Sequence, residues 1–280
     1  MFVWSKLSAE KWADAWEERF SGVSTAVITV IPGRKTIRVV VYCVNAGEAR
    51  EIQRLFGGTV RKMKMRNWAA MLPELPPPVK VRDRLVICAE RTLVARKKLA
   101  KKFPGRCIIS IPPHMAFGTG HHATTATVLR FLVDFAASRK DKKWTMLDLG
   151  TGSGVLAIGA AKLGAARIWG CDYDAHAVRI ARENVLLNQA DNIVIEEADV
   201  LKWKSREQWD CVAANLFSDV LEEAFPKIAR AVKPDGVVFV SGILKTQAAA
   251  CLRAGEKAGL NFKVVLTKGK WVSAWGCRAQ

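Results

Sequence analysis

None of the seven cysteines (43, 88, 107, 171, 211, 251 and 277) stands in a Cys-x-x-Cys pair. Disulfide frameworks and zinc sites need clustered or even-numbered sets, so reduced, mostly buried thiols are expected. Histidine is scarce, at four residues (114, 121, 122 and 176), and none has metal-ligand spacing to a carboxylate or thiol, so no metal is expected. No apolar run approaches the roughly 20 residues of a membrane span. The first residues, Met-Phe-Val-Trp-Ser-Lys, bring charge too early for a secretory signal. A soluble, cytoplasmic protein is the expectation.

Acidic residues are also under-represented, 26 against 44 Lys and Arg, for a formal charge of +18. The excess is uneven. Residues 1–110 hold 22 Lys/Arg and 9 Asp/Glu, a net of +13, whereas residues 111–280 hold 22 and 17, a net of +5. Such asymmetry favours a polyanionic partner, RNA or a ribosomal particle, because phosphate neutralisation supplies most non-specific nucleic-acid affinity. The competing reading is a solvated basic surface, and the run Arg96-Lys-Lys98 with Lys101-Lys102 admits the same two readings.

A chain of 280 residues has room for one full α/β domain and a smaller one. In residues 1–67 a short strand at Phe2–Lys6, a helical pattern at Ala9–Phe20, alternating runs at Val23–Ile31 and Thr36–Val44 around Pro32-Gly33-Arg34-Lys35, a helix at Ala46–Phe56 and a strand at Thr59–Met65 predict β-α-β-β-α-β. That is the order of a ferredoxin-like module. Residues 68–110 read as a basic, proline-containing connector, stiffened at Pro73-Glu-Leu-Pro-Pro-Pro78, with a strand expected at Arg84–Ala89 and a short helical stretch at the basic run. From Trp144 onward strands alternate with helices, which predicts a parallel, doubly wound sheet. The last two runs, Phe262–Leu266 and Trp271–Cys277, are joined by Lys268-Gly-Lys270 and predict a hairpin that leaves one antiparallel strand at the edge. This Rossmann-like arrangement is associated with methyltransferases rather than dehydrogenases, and residues 111–280 are expected to form that domain.

The chemistry concentrates at Asp148-Leu-Gly-Thr-Gly-Ser-Gly154, a strand end that opens through glycines 150, 152 and 154 into a helix. Backbone approaches a ligand closely only where side chains are missing. A dinucleotide fingerprint needs its third glycine at 155, which is Val, and Asp148 would face a pyrophosphate with the wrong sign of charge. S-adenosylmethionine carries no phosphate, and its amino group is cationic, so Asp148 suits that group or the loop itself. Asp172, at the second strand tip, can accept two hydrogen bonds from a ribose diol. Asp199, after the third strand, is placed to accept from an adenine amino group.

The elements Phe117-Gly-Thr-Gly-His-His-Ala-Thr-Thr125, Asp148–Gly154 and Ala214-Asn-Leu-Phe217 resemble, in order and spacing, the PrmA family of ribosomal protein methyltransferases, over roughly residues 68–280. The resemblance implies a substrate-recognition domain ahead of the methyltransferase domain and a ribosomal protein as methyl acceptor. It also implies cofactor contacts from Thr125, Gly150, Asp172 and Asn215, joining Asp148, Gly152 and Asp199 from the loop and strand tips. His121 and His122 read as structural hydrogen bonders rather than bases, with His122 as a clamp over the cofactor. No catalytic base is assigned; Asn215 is the candidate for orienting an acceptor amine, a lysine side chain or an N-terminus. Nucleobase methyltransferases commonly carry Pro-Pro and an aromatic after this Asn, where Leu216 and Phe217 stand here. RNA methylation, a non-catalytic ribosome-binding role and NAD-dependent oxidoreduction are the alternatives.

Overall fold

The computed structural model describes residues 2–20, 25–31, 33–43, 45–62, 76–112, 120–140, 142–205 and 207–279. The chain divides into two compact units, Met1–Glu74 and Leu75–Gln280.

In the first unit, β1 (Phe2–Ala9), α1 (Ala13–Arg19), β2 (Ala26–Val30), β3 (Thr36–Cys43), α2 (Ala46–Phe56) and β4 (Thr59–Lys62) follow in chain order. The strands form one antiparallel sheet in the order β2-β3-β1-β4. Alternation along β3 sends Ile37, Val39, Val41 and Cys43 to the buried face, as period-two patterning requires. There Trp4 meets Trp16, Phe20 and Phe56 at centroid distances of 6.2, 5.9 and 6.3 Å, and its Nε1–H donates to the Gly57 carbonyl at 2.7 Å. Asn45 caps α2 by accepting from the Glu48 N–H at 2.9 Å. The helix expected from Ala9 starts later because β1 stays paired with β3 as far as Ala9↔Thr36.

The second unit begins with β5 (Val79–Val81), β6 (Leu85–Cys88), α3 (Leu93–Lys102) and β7 (Cys107–Ser110), whose strands form a separate sheet in the order β5-β6-β7. The stretch expected as a connector is therefore built into this unit from residue 79 onward, and the strand expected at Arg84–Ala89 forms as β6. Leu85, Ile87 and Ile109 are wholly buried in the same apolar cluster as Val128, Leu132, Met146 and Ile158, which anchors it. The part of the expected connector at 68–75 lies outside the described residues.

After α4 (Ala123–Ser138) the main sheet is laid down by β8 (Thr145–Leu149), α5 (Val155–Lys162), β9 (Arg167–Asp172), α6 (Ala175–Leu187), β10 (Ile193–Glu197), β11 (Trp209–Asn215), α7 (Ser218–Ala231), β12 (Val232–Leu244), α8 (Ala248–Lys257), β13 (Leu260–Lys268) and β14 (Trp271–Arg278). The order is β10-β9-β8-β11-β12-β14-β13. Strand order reverses between β8 and β11, and ligands of open α/β sheets bind outside the carboxyl ends of the strands at such a point.

The antiparallel strand is not at the edge. β14 pairs antiparallel with both β12 and β13, so β13 is the edge and β14 lies one place inside it. The chain crosses over through α8, sets β13 down parallel to β12 but one strand width away, and the tight turn at Lys268-Gly-Lys270 returns β14 into the gap.

Each face of the sheet has its own core. Met146, Cys211, Ala213 and Phe239 face one apolar cluster, while their strand neighbours Leu147, Val212, Val238 and Val240 face the other. All seven cysteines are free thiols. Among the described residues no helix is long and apolar enough to cross a membrane. Phe239 is fully buried and meets Phe131, Phe135 and Trp275 at 5.7, 6.2 and 5.1 Å. Phe239→Ala is expected to lower the unfolding free energy by about 3–5 kcal/mol in a urea titration; a loss below about 1 kcal/mol would contradict this packing.

Candidate functional site

Strand β8 passes into α5 through Gly150, Gly152 and Gly154, which take φ of +70°, +53° and +80°, a region costly for residues with a Cβ. The turn is pinned at several points. The Thr151 N–H donates to the Cys171 carbonyl at 2.8 Å and the Gly154 N–H to the Thr151 carbonyl at 2.8 Å. From α6, Asn184 Nδ2 donates to the Ser153 carbonyl at 2.9 Å.

Asp148 is fully buried. Its Oδ2 accepts from the Thr151 hydroxyl at 2.7 Å, while Oδ1 has no hydrogen-bond partner among the described residues. Burial pushes its carboxyl from the ordinary 3.8 up to about 6, against the pull of the Thr151 hydroxyl and the Ala157 backbone N–H, and the neighbouring Asp172 charge adds to the rise. Asp172 ends β9, where its Oδ2 accepts from the Gly152 N–H at 2.9 Å and its Oδ1 from the Asp174 N–H at 3.1 Å. Burial raises its pKa too, although the backbone amides of Asp174, Gly152 and Tyr173 oppose the shift. Neither carboxylate has a Lys, Arg or His ion-pair partner among the described residues.

Two of the other expected site residues come together on the far side of the loop. Asn215 ends β11, and its Nδ2 donates to the Thr125 hydroxyl of α4 at 3.4 Å. Its Oδ1 is buried without a partner among the described residues. Asp199 is placed differently, in the turn after β10. Its Oδ1 accepts from the Leu201 N–H at 2.9 Å and Lys202 Nζ lies 3.6 Å from its Oδ2. It is tied to β9 through the Ala198 N–H, which donates to the Asp172 carbonyl at 2.9 Å.

His121 Nε2 lies 3.0 Å from the Pro77 carbonyl. His122 Nδ1 is 2.7 Å from the Thr124 hydroxyl, and its ring packs edge-on against Trp271 at 5.2 Å. The Phe117-Gly-Thr119 part of that element lies outside the described residues. Among the described residues no three His, Cys, Asp or Glu side chains converge as a metal site would need.

Leu216, which the sequence marks only as standing where nucleobase methyltransferases carry proline, packs over the glycine turn. A Cβ on Gly150 would overlap its Cδ2, and one on Gly242 would overlap its carbonyl oxygen. Gly242 sits at φ +87° where the β12–β14 register shifts, and the Leu216 N–H donates to the Ser241 carbonyl at 3.0 Å. The loop after β11 is thus seated between two glycines. The signal was present as a glycine inside an otherwise continuous strand, which commonly marks a bulge or a close backbone approach. Thr151 was also missed, though it lies three residues after Asp148 in the loop itself.

Residues 41–278 match the family model described as "Ribosomal protein L11 methyltransferase (PrmA)". This chain belongs to the PrmA family. Among PrmA relatives, the ribosomal protein L11 methyltransferase of Heliobacterium modesticaldum is 40% identical over 173 residues, 61% of this chain and 53% of its own length. That of Listeria welshimeri is 34% identical over 208 residues, 74% of this chain and 63% of its own length. The chain therefore spans somewhat over half the length of these relatives. A crystal structure of a ribosomal protein L11 methylase from Lactobacillus delbrueckii subsp. bulgaricus superposes with a TM-score of 0.60 at 26% identity, covering 72% of this chain and 99% of that one. The second unit thus has the Rossmann-like α/β fold of a PrmA methyltransferase domain, with a mixed sheet.

Asp148 takes up its proton near pH 6 when folded and near pH 3.8 when unfolded. Between those values folding binds a proton, so stability falls as pH rises through the window. Relative to Asp148→Asn, the wild type is expected to lose about 2 kcal/mol of stability between pH 4 and pH 7. Denaturant titrations of both proteins across that range measure it; parallel pH profiles would contradict the burial of an ionisable Asp148.

Proposed function

We propose that this chain is an S-adenosylmethionine-dependent methyltransferase of the cytoplasm that methylates amino groups, a lysine side chain or the N-terminus, of a ribosomal protein. The observation that carries the reading is the pair Asp148 and Asp172. In a chain of net charge +18, two buried or half-buried carboxylates flank a glycine-rich turn without a basic partner among the described residues. Such a site selects a ligand that brings hydroxyls and positive charge and repels a pyrophosphate. The family membership supports the same reading.

The residues present fit S-adenosylmethionine. Asp172 would accept from the ribose hydroxyls with lone pairs left over from its backbone partners. The unpartnered Oδ1 of Asp148 would meet the methionine ammonium, directly or through water. Gly150 and Gly152 would give it backbone access, Thr125 would contact it from α4, and Asp199 would accept from the adenine amino group. When bound, the cofactor supplies a methyl group made electrophilic by its sulfonium.

Asn215 would hold the acceptor. Its free Oδ1 can take a hydrogen bond from the incoming amine and aim the nitrogen lone pair. Neutralising a lysine of pKa about 10.4 at pH 7 costs about 4.6 kcal/mol, with the proton leaving to water. Positioning reacting groups is worth roughly 7–11 kcal/mol, enough to dispense with a dedicated base. His121 and His122, engaged with Pro77 and Thr124, would hold the loop and not move protons.

The first 67 residues would form a ferredoxin-like substrate-recognition module, a reading supported by the sheet order β2-β3-β1-β4, and residues 111–280 the catalytic domain. The basic first 110 residues would contact RNA or the ribosome.

Incubation with labelled S-adenosylmethionine and whole ribosomes is expected to label protein. Label confined to RNA would reject a protein acceptor and favour an RNA methyltransferase. Asp172→Ala is expected to weaken cofactor binding in calorimetry by about 10- to 100-fold, the range for charged hydrogen bonds; unchanged affinity would remove the ribose assignment.

A further inference from the structure

Helix α3 has the composition Leu-Val-Ala-Arg-Lys-Lys-Leu-Ala-Lys-Lys, contains no acid and buries none of its residues. Lys97, Lys98, Lys101 and Lys102 are all exposed, and among the described residues none has an acidic ion-pair partner. Lys97 faces Lys101, and Lys98 faces Lys102, one turn apart. Like charges at that spacing destabilise a helix, so nothing within α3 rewards the arrangement. The surrounding stretch 76–110 carries ten Lys/Arg against two Asp/Glu.

The helix is nonetheless firmly seated. Thr92 caps it by accepting from the Ala95 N–H at 3.2 Å, and Arg96 Nη1 donates to the Leu187 carbonyl at 2.7 Å. Lys162 Nζ meets the adjacent Asn188 carbonyl at 2.6 Å. Both cations therefore satisfy the carbonyl end of α6, where the helix dipole is negative. Because α6 begins beside Asp172 and ends at Leu187, this attachment is about 20 Å along the helix from the cofactor crevice.

We propose that the outer face of α3 is a docking surface for RNA, holding the phosphate backbone without reading its sequence. A row of lysines with no interspersed acid suits a repeating anion, and point-like ammonium groups on flexible stems bind phosphate without demanding one geometry. A membrane surface fits poorly. The exposed Leu93 and Val94 lie one turn from Lys97 and Lys98, so apolar and basic residues share a face where membrane helices segregate them. This localises the RNA contact proposed above and does not rest on the methyl-transfer reading.

Fluorescence anisotropy with a labelled 20-base-pair RNA duplex, in a salt series and with the full chain, tests the surface. In the variant carrying K97Q, K98Q, K101Q and K102Q, affinity at about 0.15 M salt is expected to fall by about 10²–10³-fold, and the slope of log affinity against log salt to become shallower by about three to four. The corresponding four Lys→Arg changes keep binding, and both variants keep wild-type affinity for S-adenosylmethionine. An unchanged slope in the glutamine variant, equal loss in the arginine variant, wild-type preference for polyglutamate over RNA, or a parallel loss of cofactor affinity would each overturn the proposal.

Discussion

The carboxyl end of the main sheet is organised by a backbone constraint at Gly150. The chain must leave β8 in a left-handed conformation and pass beneath Leu216 with no room for a Cβ. This conformation does three things at once. It leaves the turn without a Cβ at positions 150, 152 and 154, turns the Gly152 N–H toward Asp172 and brings Thr151 back onto Asp148. Two carboxylates are thereby fixed in orientation by the loop they flank, at a cost in desolvation that raises both their pKa values.

The rest of the unit holds that loop still. β8 sits at the reversal of strand order, so β9 and β11 present their tips on either side of it, and the two apolar layers grip alternate residues of the same strands. Asp148 shares the alternation of Met146 and is for that reason buried. Asn184 from α6 and the bulge at Gly242 in β12 are distant in sequence, but each fixes one wall: the first holds Ser153, the second makes room for the loop that carries Asn215. Groups left without partners among the described residues of so closely packed a region, Asp148 Oδ1 and Asn215 Oδ1, are where a ligand has most to gain by supplying them.

Much of this was legible in the sequence, because local chemistry and tertiary need coincide. The β8 boundaries follow from an apolar run that ends at a glycine turn, α2 from a helical pattern that stops at Gly57-Gly58, and the tip acids from their places after successive strands. Other features were decided by partners far along the chain. Within residues 79–110 the expected strand at Arg84–Ala89 and helical basic run form as β6 and α3, but β5 and β7, only three and four residues long, carry no local signal, and burial against α4 and α5 makes the three strands a sheet. Helix α4 carries apolar residues on nearly every side, so its amphipathic signal is weak. The order β12-β14-β13 depends on where a crossover lands, which no local pattern encodes. Thr125 and Asn215, 90 residues apart, were suggested by resemblance; their hydrogen bond is a property of the fold.

A crystal structure with S-adenosylmethionine bound would test the central claim most directly. The account predicts the ribose on the Asp172 carboxylate, the methionine backbone over Gly150 and Gly152 with its ammonium toward Asp148, and the methyl group facing Asn215. A cofactor bound elsewhere, or a crevice at residues 150–154 closed by Leu216 and the protein's own side chains in the presence of saturating cofactor, would contradict it.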